Sequence, residues 1–242
     1  MVKFRVSCGA WLPVLQRCQG KGVSLSYDDG PNADSTPQLL QILDAHQAKA
    51  TFFLSGFRAV DHPDIVGEMV RRGHQIYAHG WEHVRLDRLD AEGMIEAMEK
   101  TERLLRRWRP TPQPYLVRLP YHGGLHKGRV HRALRRWHPD AQYAYTSISW
   151  QDHEIHGLCE DEKDVEPECH RAVQRLFATE QIANAIVIFH DKPVGIPGAQ
   201  SAAVTLQLTD MFLTELDRRG LRAVPIAPAA HPQPFHSRFI LT

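Results

Sequence analysis

The segment GVSLSYDDGPN (residues 22–32) joins an apolar run to two neighbouring carboxylates and a Gly-Pro turn. We predict a buried strand at residues 22–27, because the run is rich in strand-forming residues and is bounded by turn residues. Successive side chains of an extended chain point to opposite faces, so we expect Asp28 and Asp29 to have different surroundings. Considered alone, an Asp-Gly turn that caps the next helix explains the pair as well as catalysis does.

The rest of the chain alternates segments typical of strands and of helices. The predicted strands are residues 22–27, 50–54, 74–80, 114–120, 141–149, 185–191 and 221–226. The predicted helices are residues 34–47, 63–73, 90–108, 127–138, 168–181 and 203–220. This alternation indicates the α/β class, with a parallel sheet and right-handed crossovers. Nothing divides the chain, so we expect residues 1–242 to form one domain with ligands at the carboxyl ends of its strands.

The composition excludes several classes of partner. The formal net charge is +1, so we expect no nucleic-acid or anionic membrane partner, and the arginine clusters beside leucines are read as solvated helix faces. No segment approaches the length of a membrane span. The apolar residues near the amino terminus are interrupted by Pro13, Gln16 and Arg17, which makes a poor signal peptide. We therefore expect a cytoplasmic protein, or a secreted one if the chain has been trimmed.

The four cysteines are Cys8, Cys18, Cys159 and Cys169. No two of them form a C-x-x-C pair, so a zinc knuckle is not expected. Cys159 and Cys169 flank an acidic segment and would form a disulfide only in an oxidising compartment. For a cytoplasmic protein we expect free thiols.

The fifteen histidines of the chain include a pair that suggests a metal site. His79 and His83 stand four residues apart in HGWEH, a spacing at which two imidazoles can share an ion. Glu82 is in the wrong place for the H-E-x-x-H helix of a metalloprotease. A carboxylate from another strand end would complete a His₂Asp set with a position open for water and substrate. One acid of the Asp28-Asp29 pair would then bind the metal, and the other would take a proton from the water.

Four motifs together resemble a known family. SYDDGP, HGWEH, RLPY and IVIFHD occur in the order and at the spacing of the NodB-homology polysaccharide deacetylases, carbohydrate esterase family 4. The resemblance extends over about residues 22–226. It implies a distorted (β/α)7-type barrel and the metal-dependent removal of an N-acetyl group from an amino sugar.

The resemblance also implies a role for each matching residue at the metal. Asp29, His79 and His83 would bind one divalent ion, with zinc favoured and cobalt or another divalent ion as alternatives. Asp28 would be the general base. Arg118 would orient this base through a charge-assisted contact.

The remaining implied roles concern the scissile amide. His190 would be the general acid that protonates the departing amine, and Asp152 would tether it. The backbone N–H of Tyr121 would help to hold the developing oxyanion. Trp150 and Ile188 are expected to contact the substrate.

The sequence departs from the family pattern at several positions. Ser149 and His153 replace the first Asp and the final Trp of a D-x-x-D-W motif, and His122 stands where a Gly is usual. We expect residues 153–169 to be a long acidic loop that acts either as a lid or as a solvated surface. His153 and His156 could reach the site, but we do not count them among its residues. Because of these departures, the resemblance does not identify the acyl group or the substrate.

Three functions remain as hypotheses. The first is a metal-dependent N-deacetylase acting on a chito-oligosaccharide, a polysaccharide, a lipid-linked or nucleotide-linked biosynthetic intermediate, or a small N-acylated metabolite. The second is an O-acetyl esterase, or an amidase for a non-sugar substrate, with the same machinery. The third is a catalytically silent sugar-binding module, which the presence of every base, ligand and acid position disfavours.

Overall fold

The computed structural model of the protein describes residues 11–18, 22–148, 152–179, 181–195 and 200–230. The strands are β1 Val14–Leu15, β2 Val23–Asp29, β3 Thr51–Leu54, β4 Gln75–Ala78, β5 Leu116–Val117, β6 Gln142–Ala144, β7 Ile186–His190 and β8 Ala223–Val224. The helices are α1 Thr36–Ala45, α2 Gly56–Asp61, α3 Pro63–Arg71, α4 Ala91–Leu105, α5 Gly128–Trp137, α6 Asp152–Leu158, α7 Glu162–Thr179 and α8 Ser201–Arg218. Short 3₁₀ turns lie at Leu86–Arg88 and Pro120–His122.

The strands form two parallel sheets. In the larger sheet the order is β4-β3-β2-β7, and β8 pairs with β2. The smaller sheet has the order β1-β6-β5. The central strand β2 pairs with β7 from Ser24 to Asp28 and with β3 from Ser26 to Asp29. Strands β3 and β7 therefore end beside the two carboxylates of β2.

The two sheets contact each other on two sides, between β4 and β5 and between the end of β6 and β7. Together they form a ring of strands. Between β4 and β5, the Ala78 N–H donates to Tyr115 Oη at 3.1 Å. Beyond β6, the Ser147 N–H donates to the Ile186 carbonyl at 3.1 Å, and Ile148 forms a parallel bridge with Val187. The predicted α/β fold, a distorted barrel of parallel strands in a single domain, is confirmed.

The alternation of side chains along the strands produces two hydrophobic clusters. On β3, Phe52 and Leu54 pack in one cluster, whereas Phe53 packs in the other. The first cluster includes Val23, Leu25 and Tyr27 of β2 together with apolar residues of α1, α7 and α8. The opposite face of β2 carries Ser24, Ser26 and Asp28, all of them buried. The even-numbered residues of β2 therefore line the barrel interior, where polar groups need partners.

Most predicted elements are present, although several are shorter than predicted. The strand predicted at residues 114–120 consists of Leu116–Val117, and the strand predicted at 141–149 consists of Gln142–Ala144. The first long strand continues beyond its predicted end at Tyr27 to Asp29. Strand β1 and helix α2 were not predicted.

The prediction of a long loop at residues 153–169 is wrong. Helix α6 begins at Asp152, and α7 begins at Glu162, before Pro167. Val165, Cys169 and Val173 are buried and recur every four residues, which is the spacing of a helix face packed on the core. Pro167 lies in the second turn of α7, where it removes the N–H that would otherwise donate to the Lys163 carbonyl, so the helix depends on the packing of this face.

Cys18, Cys159 and Cys169 have free, buried thiols, and Cys8 lies outside the described residues. For Cys159 and Cys169 the structure therefore agrees with the expectation of free thiols. Among the described residues, no helix combines the length and the hydropathy needed to span a bilayer.

Candidate active site

The carboxyl ends of β2, β4 and β7 and the segments after β5 surround a cavity of about 450 Å³. Its lining comprises Asp28, His79, His83, Tyr121, His122, Asp152, His153, Ile188, His190, Pro193, Val194 and Gly195. A parallel barrel brings these strand ends to one rim, as the sequence predicts. Most residues that the sequence singled out therefore lie at a single concave site.

Asp29, His79 and His83 form the candidate metal centre. Asp29 Oδ1 lies 3.3 Å from His83 Nε2 and 3.7 Å from His79 Nε2. This oxygen is buried and has no hydrogen-bond partner among the described residues. Ligand atoms of a tetrahedral zinc site, at bond lengths of about 2.0–2.2 Å, are about 3.3 Å apart. The spacing and the unpartnered oxygen fit a divalent cation held by these three residues.

The surrounding hydrogen bonds orient the three candidate ligands. His79 Nδ1 lies 2.9 Å from the Arg118 carbonyl oxygen, which can only accept, so Nδ1 is the donor and Nε2 is the ring nitrogen that faces Asp29. Asp29 Oδ2 accepts from the Val194 N–H at 2.9 Å, which leaves Oδ1 for the ion. Burial lowers the pKa of His83 and therefore favours the neutral ring, the form that binds metals.

The backbone at Asp29 is in the left-handed region, with φ of 76°. This departure from strand geometry redirects the side chain, and it requires support from neighbouring groups. Asp191 contributes to that support, because its backbone N–H donates to the Asp28 carbonyl at 2.9 Å, and its carboxylate oxygens accept from the hydroxyls of Ser35 and Thr36 at 2.5 Å. A Cβ at Gly30 would lie 2.6 Å from Asp191 Oδ2, so glycine is required at that position. The sequence analysis assigned no role to Asp191, although its place beside His190 at a strand end was a usable signal.

Asp28 is paired with a fully buried arginine. Arg118 Nη1 donates to Asp28 Oδ1 at 2.8 Å and to Ser26 Oγ at 2.8 Å. Its Nε donates to the Ala144 carbonyl at 3.0 Å, and its guanidinium lies over the Phe53 ring at 4.3 Å. Burial alone would raise the pKa of Asp28, but the charge and hydrogen bond of Arg118, together with the nearby His79 and His190, outweigh it and hold the pKa at about 2. Asp28 is therefore ionised at neutral pH.

Replacing Arg118 with Met should lower the free energy of unfolding by about 3–5 kcal/mol, because the buried Asp28 carboxylate would lose its cation. The measurement is urea unfolding followed by circular dichroism. The matched control is Arg103→Met, since the Arg103 side chain is 74% exposed and its replacement should change stability by less than about 0.5 kcal/mol. Equal effects of the two substitutions would show that the buried ion pair does not stabilise the fold.

His190 is held by both carboxylate oxygens of Asp152. Its Nδ1 donates to Asp152 Oδ1 at 2.8 Å, and its backbone N–H donates to Oδ2 at 2.7 Å. Burial acts to lower the pKa of His190, but the charge and hydrogen bond of Asp152, together with the charges of Asp29 and Asp28, outweigh it and raise the pKa to about 10. The imidazole is therefore a cation at neutral pH, with Nε2 as the ring nitrogen left for a substrate.

The remaining predicted contact residues lie on the cavity wall or outside the described ranges. Tyr121 lies in the 3₁₀ turn with φ of 59°, and its side chain is 55% exposed. Its ring packs on the His83 ring with centroids 4.5 Å apart. Ile188 is buried in the cavity wall. Trp150 lies outside the described residues.

Two histidines that the sequence analysis did not count also line the cavity. His122 packs edge-on against Tyr145, and burial lowers its pKa to about 4, so the ring is neutral. The His153 ring lies 5.6 Å from the His190 ring in an edge-to-face arrangement. Its position one residue after the tethering Asp152 was the signal that could have placed it at the site. His156, by contrast, is buried, with Nδ1 hydrogen-bonded to Ser201.

Comparisons with known proteins agree with this arrangement. A sequence model of the polysaccharide deacetylase family matches residues 16–138 of the 242-residue chain. The peptidoglycan-N-acetylglucosamine deacetylase of Bacillus cereus is 26% identical over 208 residues, which cover 86% of this chain and 87% of that protein. The chitooligosaccharide deacetylase of a Bradyrhizobium species is 28% identical over 216 residues, which cover 87% and 91%.

A solved structure extends the likeness to the fold. The chitin deacetylase of the fungal pathogen Colletotrichum lindemuthianum superimposes with a TM-score of 0.70 at 25% identity. The superposition covers 93% of this chain and 97% of that one. The similarity therefore extends well beyond the motif residues to most of the barrel.

Proposed function

Because this chain belongs to the polysaccharide deacetylase family, we propose that it is a metal-dependent hydrolase that removes acetyl groups from the nitrogen of an amino sugar. The observation that carries the proposal is the unpartnered Asp29 Oδ1, which faces two imidazole nitrogens at 3.3 and 3.7 Å. A paired carboxylate, Asp28, and a tethered imidazolium, His190, line the same cavity. These groups supply a metal site, a base and an acid.

Asp29, His79 and His83 would hold the ion. Zinc suits two imidazoles and one carboxylate, and cobalt binds similar donor sets. When bound, such an ion lowers the pKa of a coordinated water and polarises a carbonyl oxygen.

Asp28 serves as the general base. It is ionised at neutral pH, and its Oδ2 lies 3.8 Å from His79 Nε2, close to the proposed metal ligands. Arg118 occupies Oδ1, so Oδ2 is the oxygen that takes the proton of the attacking water. Arg118 is thus a positioning residue that fixes the carboxylate.

His190 serves as the general acid. An amine leaves an amide only after it gains a proton, and the imidazolium held by Asp152 carries one at neutral pH. The backbone N–H of Tyr121 would stabilise the negative charge that develops on the acetyl oxygen. The exposed Tyr121 ring at the rim offers an apolar face on which a sugar ring can pack.

We infer an N-acetylglucosamine-containing glycan as the substrate class. Two relatives are named for peptidoglycan N-acetylglucosamine and for chito-oligosaccharides, and a cavity of about 450 Å³ has the size of an ordinary small-ligand pocket. His122 and His153 make the wall more polar than a tryptophan would. This polarity favours, as the second candidate, an O-acetyl ester or a non-sugar amide that carries a hydrogen-bonding group.

Chelation should abolish activity, and added zinc or cobalt should restore it. The test measures acetate release from chito-oligosaccharides, peptidoglycan fragments, UDP-N-acetylglucosamine, acetylated xylan and simple N-acetyl amines, before and after treatment with a chelator. Activity on an N-acetylglucosamine glycan that follows the metal supports the proposal. Activity that persists without metal contradicts it, and metal-dependent release from xylan alone favours the esterase.

A further inference from the structure

We propose that Asp152, His153 and His190 form a second metal site, at which an additional Zn²⁺ ion displaces a proton from His190. One ligand atom from each of these residues lies within 4.8 Å of the other two. The donor set, one carboxylate and two imidazoles, is the same as that of Asp29, His79 and His83. No residue is shared between the two sets.

The second site is accessible from the cavity. Asp152 is buried, whereas His153 and His190 are half-buried, and all three line the cavity that His79 and His83 of the first set also line. The edge-to-face packing of His153 and His190, with centroids 5.6 Å apart, keeps both rings beside the carboxylate. Zinc ligands are about 3.3 Å apart, so a movement of about 1.5 Å at most brings every pair to the required separation.

Binding replaces one hydrogen bond by metal–ligand bonds. The Nδ1–H of His190 donates to Asp152 Oδ1 at 2.8 Å. When zinc binds Nδ1 of His190 and Oδ1 of Asp152 together with His153, the Nδ1 proton passes to solvent and the Nε2 proton stays on the ring. The backbone N–H of His190 still donates to Asp152 Oδ2 at 2.7 Å, which keeps the carboxylate in place.

The consequence for catalysis rests on the proposed function, whereas the binding itself does not. An imidazole that is bound to zinc through Nδ1 keeps only its Nε2–H, which is far less acidic than an imidazolium and does not protonate the departing amine. Activity should therefore rise as zinc fills the first set and fall by at least about tenfold as it fills the second, since general acid catalysis contributes 10²–10⁴-fold. His153 is the residue that distinguishes this chain, because the D-x-x-D-W pattern has tryptophan at that position.

The test counts zinc ions by equilibrium dialysis and elemental analysis. Wild-type protein should bind two ions per chain, and His153→Phe should bind one. His170→Phe is the matched control, because His170 is exposed and remote from the cavity lining, and it should still bind two. One ion on wild-type protein, or two on His153→Phe, would overturn the second site.

Two further measurements distinguish a failure of the second site from a failure of its inhibitory role. His79→Ala should keep the second ion and lose the first, which shows that the two sites bind independently. In the same zinc titration, the fall in acetate release at high zinc should be absent from His153→Phe. Inhibition that persists in this variant would overturn the inhibitory role, whereas the ion count decides the site even if no substrate is turned over.

Discussion

Replacing Asp28 with Asn should lower acetate release by about 10²–10⁴-fold, the contribution typical of a general base, while the protein keeps its metal. Asn has the shape of Asp and can still accept a hydrogen bond from Arg118, which now contacts Oδ1 at 2.8 Å. It cannot take a proton from water. Because the buried Arg118 cation loses its carboxylate, the substitution should also lower the free energy of unfolding by about 3–5 kcal/mol, and circular dichroism checks that the variant is folded before the rates are compared.

The measurements are the zinc content and the steady-state rate of the same preparation. Asp29→Asn is the matched control, since the two acids are neighbours and only Asp29 Oδ1 lies within 3.3 Å of His83 Nε2. That variant should lose the ion. If Asp28→Asn were the one to release the metal, the two acids would have exchanged roles.

Replacing His79 or His83 with Ala should remove both the ion held with Asp29 and the activity. Each ring supplies one of three candidate ligands, and the buried Asp29 Oδ1 has no other partner among the described residues. We expect zinc affinity to fall by more than about 100-fold, the upper end of the loss caused by outer-sphere partners alone. His79→Ala also leaves the Arg118 carbonyl without its 2.9 Å hydrogen bond.

The affinity is measured by competition with a chromogenic zinc chelator. His74→Ala is the comparison, because His74 is buried but lies outside the cavity lining. It should destabilise the fold and leave zinc affinity unchanged. Unaltered zinc affinity in both His79→Ala and His83→Ala would place the ion elsewhere.

The central strand β2 and its neighbours could be predicted from the sequence, because the local residue pattern there agrees with the packing in the folded chain. Strand β2 alternates Val23, Leu25 and Tyr27 with two serines. Parallel neighbours end beside it, so the meeting of Asp28 and Asp29 with His79 could be anticipated. The spacing of four between His79 and His83 is a local signal. Both histidines lie in the loop after β4, with their ring centroids 5.6 Å apart.

The elements that were not predicted from the sequence depend on contacts between residues far apart in the chain. Strand β1 has two residues and exists through its parallel pairing with Tyr143 and Ala144, which no local pattern reveals. Helix α7 begins before Pro167 because Val165 and Cys169 pack on the core, and tertiary packing of this kind overrides the tendency of proline to end a helix. His153 reaches the site only because α6 begins at Asp152, where an acidic loop was expected.

The most direct measurement is anomalous diffraction at the zinc edge from crystals prepared with one equivalent of zinc per chain. We expect one peak about 2.0–2.2 Å from Asp29 Oδ1, His79 Nε2 and His83 Nε2, with Asp28 outside bonding distance. A zinc peak bound elsewhere, with these three atoms not coordinated, would contradict the metal centre on which the proposed hydrolase depends.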